Sequence, residues 1–250
     1  MSMRQLDFIL PNWPAPANVK ALQTTRVGGV SVGSYASLNL GAHVGDNHVF
    51  VEHNRQLLAP YLPRSPVWIN QVHGIEVINA SSSRGLQDAD ASYSTLANVV
   101  CATMTADCLP VLLCDTKGTV VAAVHAGWRG LCDGVIEAAV HEMAVPASEV
   151  LAWLGPAIGP QSFEVGDDVR TQFIAVDPRA SHAFKPHADK WLCDLYLLAK
   201  QRLQSVGVSQ IYGATINTEF CTYSEGERFY SFRRDNVTGR MASLIWLESI

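Results

Sequence analysis

VVCATMTADCLPVLLCDTKGTVVAAVHAGWRGLCDGVIEAAVHEM, residues 99–143, decides the fold class. Three apolar runs rich in β-branched residues, Val99–Thr105, Pro110–Cys114 and Thr119–His125, predict strands. The period then changes. Between Gly130 and Met143, Leu131, Val135, Ala138 and Ala139 fall along roughly one side, which predicts a helix with an inner face built from Leu131, Val135, Ile136 and Ala139. Working outward, Val67–Asn70 and Ile75–Asn79 read as strands around a turn at His73-Gly74, and Val150–Leu154 as a buried strand stopped by Gly155-Pro156. Gly166–Val176 reads as a helix. Asp194–Val206 is the clearest helix, with Leu195, Leu198, Ala199, Arg202 and Val206 at helical spacing and Gly207 as its stop. Phe229–Arg234 and Arg240–Leu247 flank Asn236–Gly239 as a hairpin. No repeat or linker divides the chain, and Ser81–Gly85 is only loop length, so the expectation is one mixed α/β domain over residues 1–250 with strand order left open.

Composition narrows the partners. The 250 residues are 48% hydrophobic and 16% charged, the balance of a chain with a large buried core, and the net charge is −5. Beyond Arg233-Arg234 there is no basic cluster to neutralise phosphates, which argues against polymeric nucleic acid as a partner. The stretch Met1 to Asp7 lacks a signal peptide's apolar core, and no apolar run reaches the eighteen or so residues of a membrane helix. Six cysteines without a C-x-x-C pair are too sparse for a disulfide framework. The expected protein is reduced and cytoplasmic, free of membrane, and a monomer or weak dimer.

Three segments each place a soft or borderline ligand at a strand end beside a turn: Asn70-Gln71-Val72-His73-Gly74, Ala106-Asp107-Cys108-Leu109-Pro110 and His125-Ala126-Gly127-Trp128-Arg129-Gly130. Zinc takes imidazole nitrogen and thiolate sulfur, and catalytic sites use three protein ligands with a fourth position open. The spacings of 35 and 17 residues are too long for a zinc finger. At this level the alternatives stay open: a cysteine between apolar strands is commonly a small buried hydrophobe, the reading for Cys101, Cys114, Cys132 and Cys193, and His141, His182 and His187 read as structural or solvent-facing. Two further clusters could contact a ligand. Thr24–Ser31 pairs glycines with Arg26, a residue able to clamp a phosphate or carboxylate, yet it lacks the G-K-[ST] of a Walker loop and suits an ordinary Gly-rich hairpin. Phe229–Asp235 mixes aromatics with cations, as a stacking wall or an exposed hairpin would, while Asp88 and Asp90 could orient a metal ligand or cap a loop.

Together these segments resemble the YfiH-like family, also called laccase-domain or multicopper polyphenol oxidase proteins. The resemblance is carried by Thr25–Ser31, Asn70–Gly74, Ala106–Pro110, His125–Gly130, Gly155–Pro160, Phe163-Glu164-Val165 and Ser231–Asp235, and spans about residues 20 to 247. It implies a four-layer α/β/β/α sandwich with mixed sheets, similar to the catalytic domain of a bacterial cytotoxic deamidase. It also implies one zinc held by His73, Cys108 and His125. The implied activity is phosphorolysis of adenosine, inosine, guanosine and methylthioadenosine together with adenosine deamination, and some relatives are linked to editing peptidoglycan precursors. Gln161 stands where relatives often have a cysteine, a departure that touches no metal ligand.

The oxidase name can be tested on the residues. A multicopper oxidase needs roughly ten copper-binding histidines, largely in His-x-His pairs. This chain has eight histidines and no such pair, and His43, His48 and His53 are five apart. Zinc is therefore expected, with copper the secondary metal. For deamination, a zinc-activated water needs a proton shuttle, for which Asp90 is the candidate beside Cys108 and His125. For phosphorolysis, Arg26 and Arg233 are the candidate anion contacts, with Asn39 and Gln71 as polar anchors. Two other classes remain: Cys108 and His125 as the nucleophile and base of a hydrolase acting on peptidoglycan precursors, and a non-catalytic nucleoside-binding module.

Overall fold

Side-chain parity along the strand Leu109–Asp115 organises the molecule. Leu109, Val111 and Leu113 pack with one group of helices, whereas Leu112 and Cys114 point the other way, against a second sheet. All seven residues are buried, as expected for a strand covered on both faces. The neighbouring strand Val121–Ala126 repeats the pattern, with Ala122, Val124 and Ala126 toward the helices and Val121 and Ala123 toward the second sheet.

The computed structural model describes residues 6–213 and 220–249, so most of Met1 to Asp7, on which the reading of the N-terminus rested, lies outside the described residues. A six-stranded mixed sheet runs in the order Gln210–Gly213, Val150–Leu154, Leu109–Asp115, Val121–Ala126, Ala91–Ser94, Val77–Asn79, with parallel pairs only at its two edges. A four-stranded antiparallel sheet runs Phe8–Ile9, Val19–Thr24, Met241–Leu247, Cys101–Thr105. Between the two sheets lie Val19, Cys101, Ile245 and Leu247 from one side and Leu112, Val121, Leu151 and Trp153 from the other. The outer face of the large sheet is covered by Trp128–Asp133, Val135–Glu142 and Leu195–Ser205. The outer face of the small sheet, Leu22, Ala102, Leu244 and Trp246, packs against Leu38, Leu40 and the end of the helix His48–Leu57. This is the α/β/β/α order. Burying a Leu, Ile or Val side chain stabilises the fold by about 1.5–3 kcal/mol, and three such layers supply the core. A small antiparallel sheet, Phe184–His187, Lys190–Cys193 and Glu164–Val165, lies outside the sandwich.

Three local expectations need correction. Gly130–Met143 is two helices, because Gly134 at φ 108° both ends the first and begins the second; the inner face Leu131, Val135, Ile136 and Ala139 is nevertheless fully buried. Val67–Asn70 forms only isolated bridges, Val67 with Cys101 and Asn70 with Asp88. The hairpin at Asn236–Gly239 is absent: Phe232–Asp235 is a short helix with the Ser231 hydroxyl accepting from the Arg234 N–H, a capping bond that competes with extended pairing. Among the described residues, no helix is long and apolar enough to cross a membrane.

Candidate metal centre

Strand register brings two of the three candidate ligand segments together. Ala91 pairs with Val124, which sets Asp90 beside His125, and the His125 N–H donates to the Asp90 carbonyl at 2.7 Å. Leu109 pairs with Ala126, so Cys108 enters this rim one residue before its strand begins. Cys108 reaches it through Asp107, held at φ 93°, on the crossing from the small sheet to the large one. The Asp107 carboxylate fixes that crossing by accepting from the Thr222 hydroxyl at 2.7 Å and the Arg233 N–H at 2.6 Å.

His73 arrives on a loop tied from two sides. The Gln71 amide donates to the Met104 carbonyl and accepts from the Met104 N–H, both at 2.8 Å. The Asp90 carboxylate accepts the N–H groups of Val72, His73 and Gly74 at 3.2, 3.0 and 2.6 Å, and also takes the His125 Nδ1 proton at 2.7 Å. One buried carboxylate thus orients the His125 ring and holds His73 in a left-handed conformation, φ 61°.

The resulting donor atoms of His73, Cys108 and His125 lie within 4.8 Å of one another, the Cys108 Sγ to His73 Nε2 distance being 3.8 Å. Tetrahedral zinc, with bonds of about 2.0–2.3 Å, holds its donors about 3.3–3.6 Å apart, so this cluster is close to coordination spacing. Burial falls off from His125 (buried) through Cys108 (half-buried) to His73 (exposed), which leaves one side of the cluster open. The electrostatics favour the metal-binding thiolate and hold a proton on His125 that a cation must displace. Burial pushes the Cys108 thiol up, but the neighbouring His125 and His73 more than reverse this and bring it down to about 6. Burial depresses His125, while the Cys108 thiolate and the Asp90 carboxylate raise it to about 9. Asp90 itself is lowered: burial opposes ionisation, but hydrogen bonds and charge from His125 and the Gly74 and His73 N–H groups outweigh it. A bound cation would take over the proton's role of balancing the thiolate. A thiolate, two imidazoles and a carboxylate behind one of them suit zinc.

Two glycines of His125–Gly130 make the approach of the His73 loop possible. A Cβ on Gly130 would lie 2.6 Å from the Gly74 carbonyl oxygen, and one on Gly127 would lie 2.7 Å from His73 Cδ2 and 3.2 Å from Cys108 Sγ. Gly127 has φ −63° and ψ 154°, open to any residue, so its requirement is purely one of space. Gly127→Ala is expected to leave the fold intact and weaken metal binding, read with zinc, about ten-fold or more, within the range seen when ligand orientation is disturbed. Competition titration with a chromogenic chelator checks this; unchanged affinity would remove the steric role of Gly127.

Beside Cys108 opens a pocket of about 120 Å³ walled by Trp128, Ile158, Phe163, Phe232 and Arg233. This is narrower than the ~300–1,000 Å³ sites that enclose whole drug-sized ligands, and suits one planar ring with the rest of the ligand outside. Arg233 extends over the Phe163 ring at 5.2 Å and donates to the Glu164 carbonyl at 2.8 Å. It is therefore the one expected substrate contact that lines this pocket. Arg26 donates from Nε and Nη1 to the carbonyls of Ala36 and Gly226 and stacks over Tyr230 at 4.7 Å, and it is not among the residues lining this pocket. Asn39 is fully buried, bonded to Asp46, Gly41 and the Arg240 N–H, and Gln71 is engaged with Met104. The expected polar anchors are thus structural ties. Asp90, expected as a proton shuttle, is buried behind His125 with both oxygens bonded, an arrangement that orients the imidazole. Sequence reasoning gave no role to Asp107, Trp128 or Phe163; their signal was only their presence in the quoted motifs.

A family model described as multi-copper polyphenol oxidoreductase laccase matches residues 20–248. The chain is 57% identical over 243 residues to the protein named purine nucleoside phosphorylase YfiH of Escherichia coli (strain K12), covering 96% of this chain and 98% of that one. A protein of Pseudomonas aeruginosa, also named purine nucleoside phosphorylase, is 52% identical over 243 residues, with the same coverage. Among solved structures, a Neisseria meningitidis protein matches with a TM-score of 0.91 at 51% identity, covering 97% of this chain and 99% of that one. YlmD from Geobacillus stearothermophilus matches at 0.89 and 30% identity, covering 100% and 98%. At these identities over nearly full length, the chain belongs to the laccase-like YfiH family.

Proposed function

We propose that this chain is a zinc-dependent purine nucleoside phosphorylase that also deaminates adenosine. The observation that carries the reading is the His73–Cys108–His125 cluster, backed by Asp90 and opening beside an aromatic-walled pocket. The names of relatives at 52–57% identity support the nucleoside class. Trp128, Phe163 and Phe232 offer ring faces and apolar edges to a purine, with Arg233 at the rim for its polar edge or the ribose. In phosphorolysis a phosphate oxygen bonds to C1′ as the C1′–N9 bond breaks and the purine accepts a proton. A zinc ion bound at the cluster supplies Lewis acidity and an acidified water. The protein's share is to exclude solvent from the ring, hold the sugar near Cys108, and keep His125 oriented through Asp90. The proposal covers residues 1–250 as one catalytic domain, working in the reducing cytoplasm as a monomer or weak dimer, with adenosine, inosine, guanosine and methylthioadenosine as substrates. All six cysteines are free, consistent with that compartment.

The test is chromatographic product analysis of zinc-loaded protein with adenosine. Adenine and ribose 1-phosphate are expected with phosphate, and inosine without it; chelation abolishes both and zinc restores them. No product under either condition overturns the proposal. A second reading, a Cys–His hydrolase, is favoured by the line Cys108–His125–Asp90, which has the order of a nucleophile, base and orienting carboxylate. Hydrolysis of an amide or ester substrate that survives chelation would select it.

A further inference from the structure

We infer that Arg240, assisted by His43, forms the anion subsite of this centre, seating an oxyanion such as inorganic phosphate beside Phe232. The inference rests on the phosphorylase reading for the identity of the anion.

Arg240 enters the strand Met241–Leu247, its N–H donating to the buried Asn39 at 2.9 Å. Its stem lies on Gly41, where a Cβ would come within 2.8 Å of Arg240 Cγ. The guanidinium is 5.9 Å from the ring of Phe232, a wall of the pocket that Cys108 also lines. One of its nitrogens, Nη1, donates to the carbonyls of Thr238 and Gly239; these are its side-chain hydrogen bonds among the described residues. Among those residues neither Arg240 nor His43 has a carboxylate within ion-pair distance. The nearby Asp107 lies beyond ion-pair distance of Arg240, its oxygens bonded to Thr222 and the Arg233 N–H.

A partly buried guanidinium with backbone anchors and no carboxylate in direct contact gains from an anion that completes it, and its planar fork matches phosphate. The other arginines around the centre also lean on backbone carbonyls and rings: Arg26 on Ala36 and Gly226, Arg55 on the Leu40 carbonyl and the face of Trp68, and Arg233 on the Glu164 carbonyl and Phe163; Arg240 differs in that its side-chain bonds, both from Nη1, go to its own turn. His43, two residues beyond Gly41, is exposed on the segment that carries the Arg240 stem, and its basicity is reduced by desolvation first, then by Arg240, Arg55 and His125. Arg240 in turn is depressed by burial, with Cys108, Asp107 and Tyr35 acting in the opposite sense. Arg240 and the pocket thus share Phe232 as a common neighbour, and Cys108 lines the same pocket.

The test compares zinc-loaded wild type, R240Q, R240K and H43Q. Equilibrium dialysis with radiolabelled inorganic phosphate reads binding without turnover, beside zinc content and the phosphate and nucleoside KM values. Loss of a charge-assisted pair predicts about ten-fold or more weaker phosphate binding in R240Q, partial recovery in R240K, and about three-fold weakening in H43Q. Zinc content and nucleoside KM stay within two-fold. Phosphate binding unchanged in R240Q and H43Q overturns the inference, as does wild type that binds no phosphate. Should R240Q not fold, the surface variant H43Q carries the decision alone. If wild type binds phosphate through Arg240 yet performs no phosphorolysis, the function reading fails and the anion subsite stands.

Discussion

Substituting Cys108 with alanine is expected to lower bound zinc from one ion per chain to none, and turnover by about 10³-fold or more. Losing a residue that merely orients a ligand costs about 10–100-fold in affinity, and here the thiolate itself is removed. Cys108 is half-buried and its side chain is small, so the loss of packing costs about 1 kcal/mol or less. Metal-free variant and metal-free wild type should therefore melt within a few degrees of each other. Cys108→Ser should behave alike, because a neutral hydroxyl is a poor zinc donor. Metal analysis by inductively coupled plasma spectrometry, run beside calorimetry, is the deciding measurement. A variant that keeps stoichiometric zinc would remove Cys108 from the ligand set; one that loses turnover but keeps metal would favour the hydrolase reading.

Asp90→Ala is expected to damage both stability and metal binding. The carboxylate is fully buried and satisfies four donors, the N–H groups of Val72, His73 and Gly74 and the His125 ring. Removing one partner of a buried charged network costs about 3–5 kcal/mol. For a chain of this size that is a fall in Tm of roughly 10 °C. The same change frees the His125 ring and the His73 loop, for a further loss of about 10–100-fold in zinc affinity. Asp90→Asn retains the volume but offers only one acceptor oxygen, and should lie between wild type and Asp90→Ala. If Asp90→Ala melts with wild type and binds zinc normally, the carboxylate is not the tie described. The loss should also show a direction in pH. Asp90 is depressed in the folded state, so its contribution is present above the ordinary carboxylate range and fades as pH falls through its lowered folded value. In the alanine variant that part of the acid dependence disappears.

The elements with strong periodicity were legible in the chain itself. Leu109–Asp115, Val121–Ala126, Val150–Leu154 and the helix Leu195–Ser205 fall where their apolar patterns put them, because burial on one or both faces leaves a pattern that local chemistry cannot hide. What escaped was decided by single positions. Gly134 divides a helix that apolar spacing made continuous, and Ser231 turns an alternating stretch into a helical turn. At the site, the residues that converge were readable from strand ends and turns, with the family resemblance raising that reading above its alternatives. The partners of Arg26, Asn39 and Gln71 were not. A polar side chain beside a glycine-rich turn looks the same in sequence whether it faces a ligand or a carbonyl 200 residues away, as Arg26 faces Gly226. Asp90 illustrates the same limit. Its acidity suggested proton transfer, and only the register of Ala91 on Val124 places it behind the imidazole.

The clasp made by Asp107 has a thermodynamic corollary. Its backbone precedes the sulfur donor, while its carboxylate grips the Arg233 N–H at the head of the short helix that carries Phe232. One residue thus joins the sulfur to a wall of the aromatic cavity proposed above to take the purine. Any free energy by which a seated ring favours the ion must equal the free energy by which the ion favours the ring, since binding linkage is reciprocal. Cargo and metal at this centre consequently share one cycle: a ligand that tightens zinc retention by some factor is itself retained more tightly by the same factor, and a chelator that strips the metal withdraws that share of ligand affinity with it.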